Sequence, residues 1–353
     1  MASLLSGSGL ATVIFLLLNS FYAERSDGYR VLADFQRAHS GSSVVRLLAV
    51  GDVNLGREVG QRILLGDTKF PFEFVNEEFK QYDVVFANLE STLSDQNGET
   101  QHPKNNLIFT GPPEGAWSLR DAGVTIVSTA NNHALDYGVR SHRETIQYLE
   151  EADVAFVGTS RDSAMLNEPK VLVRNGIRMA FFACTDVMNM ENPIWKRYVA
   201  SADTSTLLPK IRAYRESVDF VIVSYHGGEE YADGPSRRTR EFARALISNG
   251  ADLFLGHHPH VPHGIEYLDG KYILYSLGNF VFRQPSLYWT QRSFAFAAEI
   301  KKDASGTRIV SFKCRPVNSG FQPAFVSDAN DVTVILERVK TLSSKEVVGQ
   351  IAW

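Results

Sequence analysis

From Val44 onward, apolar residues come in short, nearly unbroken runs. They are VVRLLAV (44–50), DVVFANL (83–89), VTIVST (124–129), MAFFAC (179–184), DFVIVSY (219–225), ADLFLG (251–256) and YILYSLG (272–278). Runs this short, without polar alternation, predict strands covered on both faces. Between the later runs the period changes. Leu207, Leu208, Ile211 and Tyr214 recur at helical spacing, as do Phe242, Ala245 and Leu246 in the segment opened by GPSRRTREF, so helices are predicted there. Strands alternating with helices predict an α/β fold with layered sheet. SFAFAAEIKK and GTRIVSFKCRPV, joined through DASG, predict an antiparallel hairpin, either an edge of the same sheet or a small appendage. A charged helix is expected after it, over about Val332 to Leu342.

The segment before this pattern is different. Leu4 to Ala23 carries no charge, and as a helix it would span roughly 30 Å, about a bilayer core. Its dense part, Leu10 to Leu18, has the length of a signal-peptide core. Residues 1–24 are therefore read as a membrane anchor or signal segment, with the anchor preferred. Arg25 and Arg30 follow it and no Lys or Arg precedes it, which leaves the orientation open. Residues 25–43 read as a polar linker, 44–300 as the main domain, and 301–353 as a hairpin and helix belonging to it.

Composition narrows the class. The chain has 353 residues, 44% hydrophobic and 22% charged, values of an ordinary globular protein that exclude wholesale disorder. A net charge of −4 supplies no basic footprint, so nucleic acid is not the expected partner. Cys184 and Cys314 are too few for a thiolate metal motif or a disulfide framework.

The candidate chemistry stands at the strand ends. The first run ends in Gly51-Asp52-Val53-Asn54, the second in Asn88-Leu89-Glu90-Ser91 and the third in Asn131-Asn132-His133. The fifth ends in His226-Gly227-Gly228-Glu229-Glu230 and the sixth in His257-His258-Pro259-His260. Each alone is an ordinary turn or cap. Together they are not ordinary, because the carboxyl ends of strands in an α/β sheet gather in one crevice. Carboxylate, amide and imidazole without thiolate suit divalent Zn, Mn or Fe. In an extended segment His258 and His260 would face one site and His257 would point away.

GDVNLGR, FANLES, STANNHALDYG, YHGGEEY and GADLFLGHHPHV with YSLGNFVF, in this order from about Val45 to Phe282, resemble the signature blocks of the CapA family. These are the poly-γ-glutamate capsule biosynthesis proteins of the calcineurin-like metallophosphoesterase superfamily. The resemblance implies a four-layer α/β/β/α sandwich and a membrane-associated, extracytoplasmic domain. It also implies one or two divalent ions, one on Asp52 and His260 and a second on Asn132, His226 and His258, with a bridging carboxylate from the second block. His133 matches the histidine that protonates the leaving group, and Asp136 is expected to orient it. In two places this chain departs from the superfamily pattern: Asn54 stands where a histidine is usual, and Asn88 where an aspartate is usual, which either passes the bridging role to Glu90 or leaves it unfilled. Glu229, Glu230 and Arg57 are further candidates for the second shell or for substrate, and Tyr137 and Tyr231 for the cleft lining.

Two functions follow from the resemblance. One is a metal-dependent hydrolase or transferase acting on a phosphoester or an anionic polymer. The other is a non-catalytic, membrane-attached scaffold that binds polymer or other subunits of a polyglutamate synthesis or export complex.

Overall fold

A computed structural model describes residues 43–351. The segment expected over 1–24, and nearly all of the linker over 25–43, lie outside the described residues. No helix among the described residues is long and apolar enough to cross a membrane.

Among the described residues the strands in chain order are β1 (Ser43–Val53), β2 (Val84–Leu89), β3 (Thr92–Leu93), β4 (Thr110–Gly111), β5 (Ile126–Ser128), β6 (Ala155–Val157), β7 (Lys170–Arg174), β8 (Ile177–Thr185), β9 (Phe220–His226), β10 (Leu253–His257), β11 (Ile265–Leu268), β12 (Lys271–Leu274), β13 (Arg292–Asp303), β14 (Gly306–Asn318) and β15 (Ala324–Phe325). The helices of eight residues or more are α1 (Arg57–Leu64), α2 (Gly115–Ala122), α3 (Gly138–Glu151), α4 (Thr204–Arg215), α5 (Arg237–Ser248) and α6 (Ala329–Leu342). One sheet has the order β15-β14-β13-β1-β2-β5-β6, the other β11-β12-β10-β9-β8-β7, and β3 pairs with β4 apart from both.

The strand pattern explains the layers. In β1, Val45, Leu47 and Ala49 enter a core shared with Met179, Phe181, Ile222, Leu253 and Leu255 of the second sheet. The alternate residues Leu48 and Val50 pack instead with Val59 and Ile63 of α1, Leu119 of α2 and Leu149 of α3. The second sheet repeats this arrangement, its outer residues Phe182, Val221, Val223 and Phe254 meeting Leu207 and Ile211 of α4 and Phe242 and Leu246 of α5. The result is helix, sheet, sheet, helix: the four-layer sandwich. At its centre the rings of Phe86 and Phe181 stack across the two sheets at 6.1 Å; burying each such ring contributes about 1.5–3 kcal/mol.

The C-terminal hairpin is no appendage but one side of the first sheet, with only the two-residue β15 outside β14. β13 lies inside the first sheet, between β1 and β14, because both of its faces are apolar. Phe294, Phe296, Ala298 and Ile300 face the core between the sheets, and Ala295 and Ala297 face the helical layer. A domain boundary at residue 300 would cut this strand. α6 touches both β14 and β11 and closes one end of the central core.

Candidate metal centre

β1, β2, β5, β9 and β10 lie parallel to their neighbours β2, β5, β6, β8 and β9 or β12, so their carboxyl ends open at one end of the sandwich. Side-chain parity then decides which residues face inward. Phe86 faces the central core, so Asn88 and Glu90 follow on the same side. Ile222 and Leu255 also face it, which turns His226 and His257 inward. Asp52 has the wrong parity, since Leu48 and Val50 face the helices. A bulge corrects it: pairing passes from Ala49↔Phe86 to Asp52↔Asn88, and the extra residue turns Asp52 inward. Gly51 permits this bulge, because a Cβ there would lie 1.8 Å from the Gly278 carbonyl oxygen.

These residues form a buried cup. Asp52, Glu90 and His226 are fully buried, and Asn132, His133, His258 and His260 nearly so. Glu90 Oε1 is at its centre, 3.6 Å from His226 Nε2, 3.7 Å from His260 Nε2 and 3.9 Å from His133 Nε2. No hydrogen bond reaches that oxygen. The separations are too long for hydrogen bonds and slightly wider than the roughly 3.3 Å between ligand atoms on one tetrahedral zinc. Donor atoms within 4.8 Å of one another form two sets that share Glu90: Asp52, Glu90 and His260, and Glu90, His226 and His258. A third set contains Glu230, His258 and His260. Asn132 joins the second through its Oδ1, 2.8 Å from His226 Nε2.

The backbone between the last two histidines differs from expectation. His258 and His260 are not extended; both are left-handed, at φ 95° and 60°, so a tight turn, not strand alternation, brings their rings to 5.9 Å. His257 does not point away either. As the last residue of β10 it pairs with His226, and its Nδ1 lies 3.1 Å from Asp52 Oδ1. His263 turns out of the cup, its Nε2 donating to the Ala232 carbonyl at 2.7 Å.

Amides organise the surround. The side chain of Asn131 is pinned by backbone at both ends, donating to Leu89 O at 2.7 Å and accepting from His133 N at 3.1 Å. Its Nδ2 also donates to Asn88 Oδ1 at 3.2 Å. Asn88 must therefore turn its NH₂ into the cup, toward Asp52 Oδ1 at 2.9 Å and His226 Nδ1 at 3.2 Å. Asn279 Oδ1 holds His260 Nδ1 at 2.9 Å, and Asn189 Oδ1 accepts from Asn132 Nδ2 at 3.1 Å. Sequence reasoning gave Asn279 and Asn189 no role. Asn279 lies in YSLGNFVF, one of the signature segments, so a signal is present there; Asn189, on the loop after β8, has none.

The electrostatics fit a cation. Burial, with the charge of Asp52 added, pushes Glu90 well above the usual carboxylate range. Burial acts on Asp52 in the same direction, yet hydrogen bonds with His257 and His260 hold it well below that range. Burial, followed by the charge of His258, pushes His226 well down, and burial and His260 bring His258 to about 3. Neutral imidazoles are ligands, and the ionised form of Glu90 is disfavoured here unless a cation stands beside it. The orphaned Glu90 oxygen and this nitrogen and oxygen donor set suit a divalent ion.

Beside the cup, His133 Nδ1 is 2.8 Å from Asp136 Oδ2, and the Phe109 ring stacks on the imidazole at 4.2 Å. Arg57 lies over the other rings of this wall, its guanidinium 4.5 Å from the Phe109 centroid and 5.7 Å from Phe282. Tyr231 is 6.2 Å from His260, ring to ring, whereas the Tyr137 hydroxyl bonds Glu99. Asn54 is buried but serves its own turn, accepting from Gly56 N at 2.7 Å. Glu229 is exposed, and its carboxylate makes no hydrogen bond or ion pair among the described residues. A cleft of about 490 Å³, walled by Leu107, Leu135, Met188, Met190 and Asn189, reaches Asn132 and Asp136.

Residues 46–284 match the family described as bacterial capsule synthesis protein PGA_cap. The capsule biosynthesis protein CapA of Bacillus anthracis is 29% identical over 314 residues, covering 87% of this chain and 75% of that one. The PGA biosynthesis protein CapA of Bacillus subtilis (strain 168) is 34% identical over 265 residues, covering 73% and 68%. Among solved structures, the calcineurin-like phosphoesterase YfkN of Bacillus subtilis covers 85% of this chain and 98% of its own, at a TM-score of 0.43 and 14% identity. That likeness is too loose to transfer chemistry.

Proposed function

This chain belongs to the family of the bacterial capsule synthesis protein PGA_cap, and from that premise we propose that it is a metal-dependent hydrolase or transferase of poly-γ-glutamate capsule biosynthesis. The observation that carries the proposal is the buried, unbonded Glu90 oxygen ringed by three imidazoles. Asp52, Glu90, Asn132, His226, His258 and His260 would hold the ions. The chemistry that divalent ions supply in such a site is Lewis-acid polarisation and activation of water.

The remaining steps are the protein's own. His133 gives its Nδ1–H to Asp136, which leaves Nε2, facing Glu90, as the atom that gives or takes a proton. Phe109 fixes the ring by stacking on it and fixes Asp136 by donating its backbone N–H at 3.0 Å. An anionic polymer or phosphoester as substrate, an extracytoplasmic site and attachment to membrane subunits belong to the same proposal, supported by the family and by the uncharged run from Leu4 to Ala23.

One observation favours the scaffold reading instead: Asn88 turns hydrogens, not lone pairs, toward the cup. A single experiment separates the two. Turnover of bis(4-nitrophenyl) phosphate and of poly-γ-glutamate is measured on metal-loaded protein, after chelation, and after return of Mn²⁺ or Zn²⁺. The enzyme reading expects turnover of at least one, lost and then restored. Fully loaded protein inert toward both would leave the scaffold.

A further inference from the structure

Arg57 is a cation with no carboxylate in direct contact among the described residues, although Glu90 and Asp136 lie near enough to favour its charge. Among the half-buried arginines, Arg215, Arg315 and Arg338 face the carboxylates of Asp252, Glu78 and Asp233, whereas Arg240 and Arg292 lie over the rings of Tyr275 and Tyr288. Arg57 is also half-buried, yet no ion pair among the described residues includes it. One of its nitrogens is tied to the Asn106 carbonyl at 2.8 Å, and its face is held over Phe109 and Phe282. Those two rings pack in turn on His133 at 4.2 Å and on His260 at 4.9 Å, so the guanidinium stands beside the cup. Its backbone is left-handed, at φ 53°. A non-glycine residue there is strained, and such strain clusters at ligand sites.

Tyr231 shares these features. It is 42% exposed, also left-handed at φ 63°, and lies 6.2 Å from His260. Its hydroxyl proton is directed by a chain of amides. Asn279 Oδ1 is engaged by His260, so Asn279 Nδ2 donates to Gln284 Oε1 at 2.9 Å. Gln284 then has its Nε2 hydrogens free, and Nε2 donates to the Tyr231 oxygen at 3.2 Å. A hydroxyl that accepts this bond keeps its own proton to donate elsewhere. The neighbouring Glu230 carboxylate is the group an incoming anion must compete with.

We propose that Arg57 and Tyr231 form an oxyanion subsite at the rim of the cup, binding a carboxylate or phosphate of the substrate other than the group that reacts. A planar guanidinium fork and a hydroxyl donor suit that geometry. The subsite rests on the enzyme reading only in calling its ligand a substrate, and it makes the substrate at least doubly anionic.

The test is calorimetric titration of the metal-loaded full chain with glutarate and, separately, with inorganic phosphate; the probe that responds to substitution identifies the carboxylate or the phosphate source. Arg57→Gln is expected to weaken binding of at least one probe roughly tenfold or more, and Arg57→Lys and Tyr231→Phe by smaller factors. Metal content and circular dichroism should match wild type. Should Arg57→Gln fail to fold, the exposed Tyr231→Phe carries the test alone. Unchanged affinity of the folded variants for both probes, or wild-type protein that binds neither, overturns the subsite. Failure of the enzyme reading would show instead as absent turnover, which these titrations do not use.

Discussion

His133 and Asp136, three residues apart, are joined by a 2.8 Å hydrogen bond from Nδ1 to Oδ2. The same Oδ2 accepts the Phe109 N–H, so the carboxylate is fixed by something other than the imidazole it orients. If His133 Nε2 handles the proton, His133→Ala should lower kcat by about 10²–10⁴-fold. Asp136→Asn should lower it by less. Neither residue is needed to hold a cation, so metal per chain should stay at the wild-type level in both. Steady-state kinetics alongside elemental analysis checks this; loss of metal in His133→Ala would reassign that residue to the ligands.

Asn189 is expected to act on the cation without touching it. An asparagine ligates through oxygen only, and the Asn132 oxygen faces His226 because its nitrogen is taken by Asn189 Oδ1. Asn189→Ala should weaken metal binding by about 10–100-fold, the usual cost of losing an outer partner. Asn189→Asp, which keeps the acceptor, should restore most of it. Competition against a fluorescent chelator measures the difference.

Legibility in the sequence followed burial. The runs in β1, β2, β8, β9 and β10 were readable because both faces of each strand are covered, whereas β7, with Lys170, Val173 and Arg174 exposed, shows no such run. The C-terminal hairpin was recognisable as a hairpin, but nothing local states that β13 enters beside β1; that pairing spans the length of the chain. In the cup, the strand-end acids, amides and imidazoles were readable as residue types. Their aim was not. The bulge that turns Asp52 inward and the left-handed turn through His258 and His260 depend on contacts with distant backbone, as at Gly278. Asn189 lies in a loop without periodicity, where an asparagine has the composition of any turn.

Away from the centre, His142 makes stability depend on pH. It is buried, its Nε2 3.3 Å from the Ser160 carbonyl and its ring 5.6 Å from Tyr198. Burial lowers it to about 4. Its folded value lies below the unfolded value of roughly 6.5, so between the two the unfolded chain binds more protons. Stability is therefore full above about pH 6.5 and falls as pH drops toward 4, by up to about 1.4 kcal/mol per unit. His142→Gln should flatten that slope in urea melts across this window; a slope unchanged by the substitution would assign it to other groups.

Every role assigned to the cup requires that it hold a cation through Glu90. Elemental analysis of the chain after dialysis against metal-free buffer, beside Glu90→Gln prepared identically, tests this most directly. Wild type should retain at least one equivalent of Mn, Zn or Fe per chain, and Glu90→Gln should lose at least one relative to it while remaining folded. Wild type that retains no metal and takes none up when offered these ions, or a folded Glu90→Gln with the wild-type complement, would contradict the account.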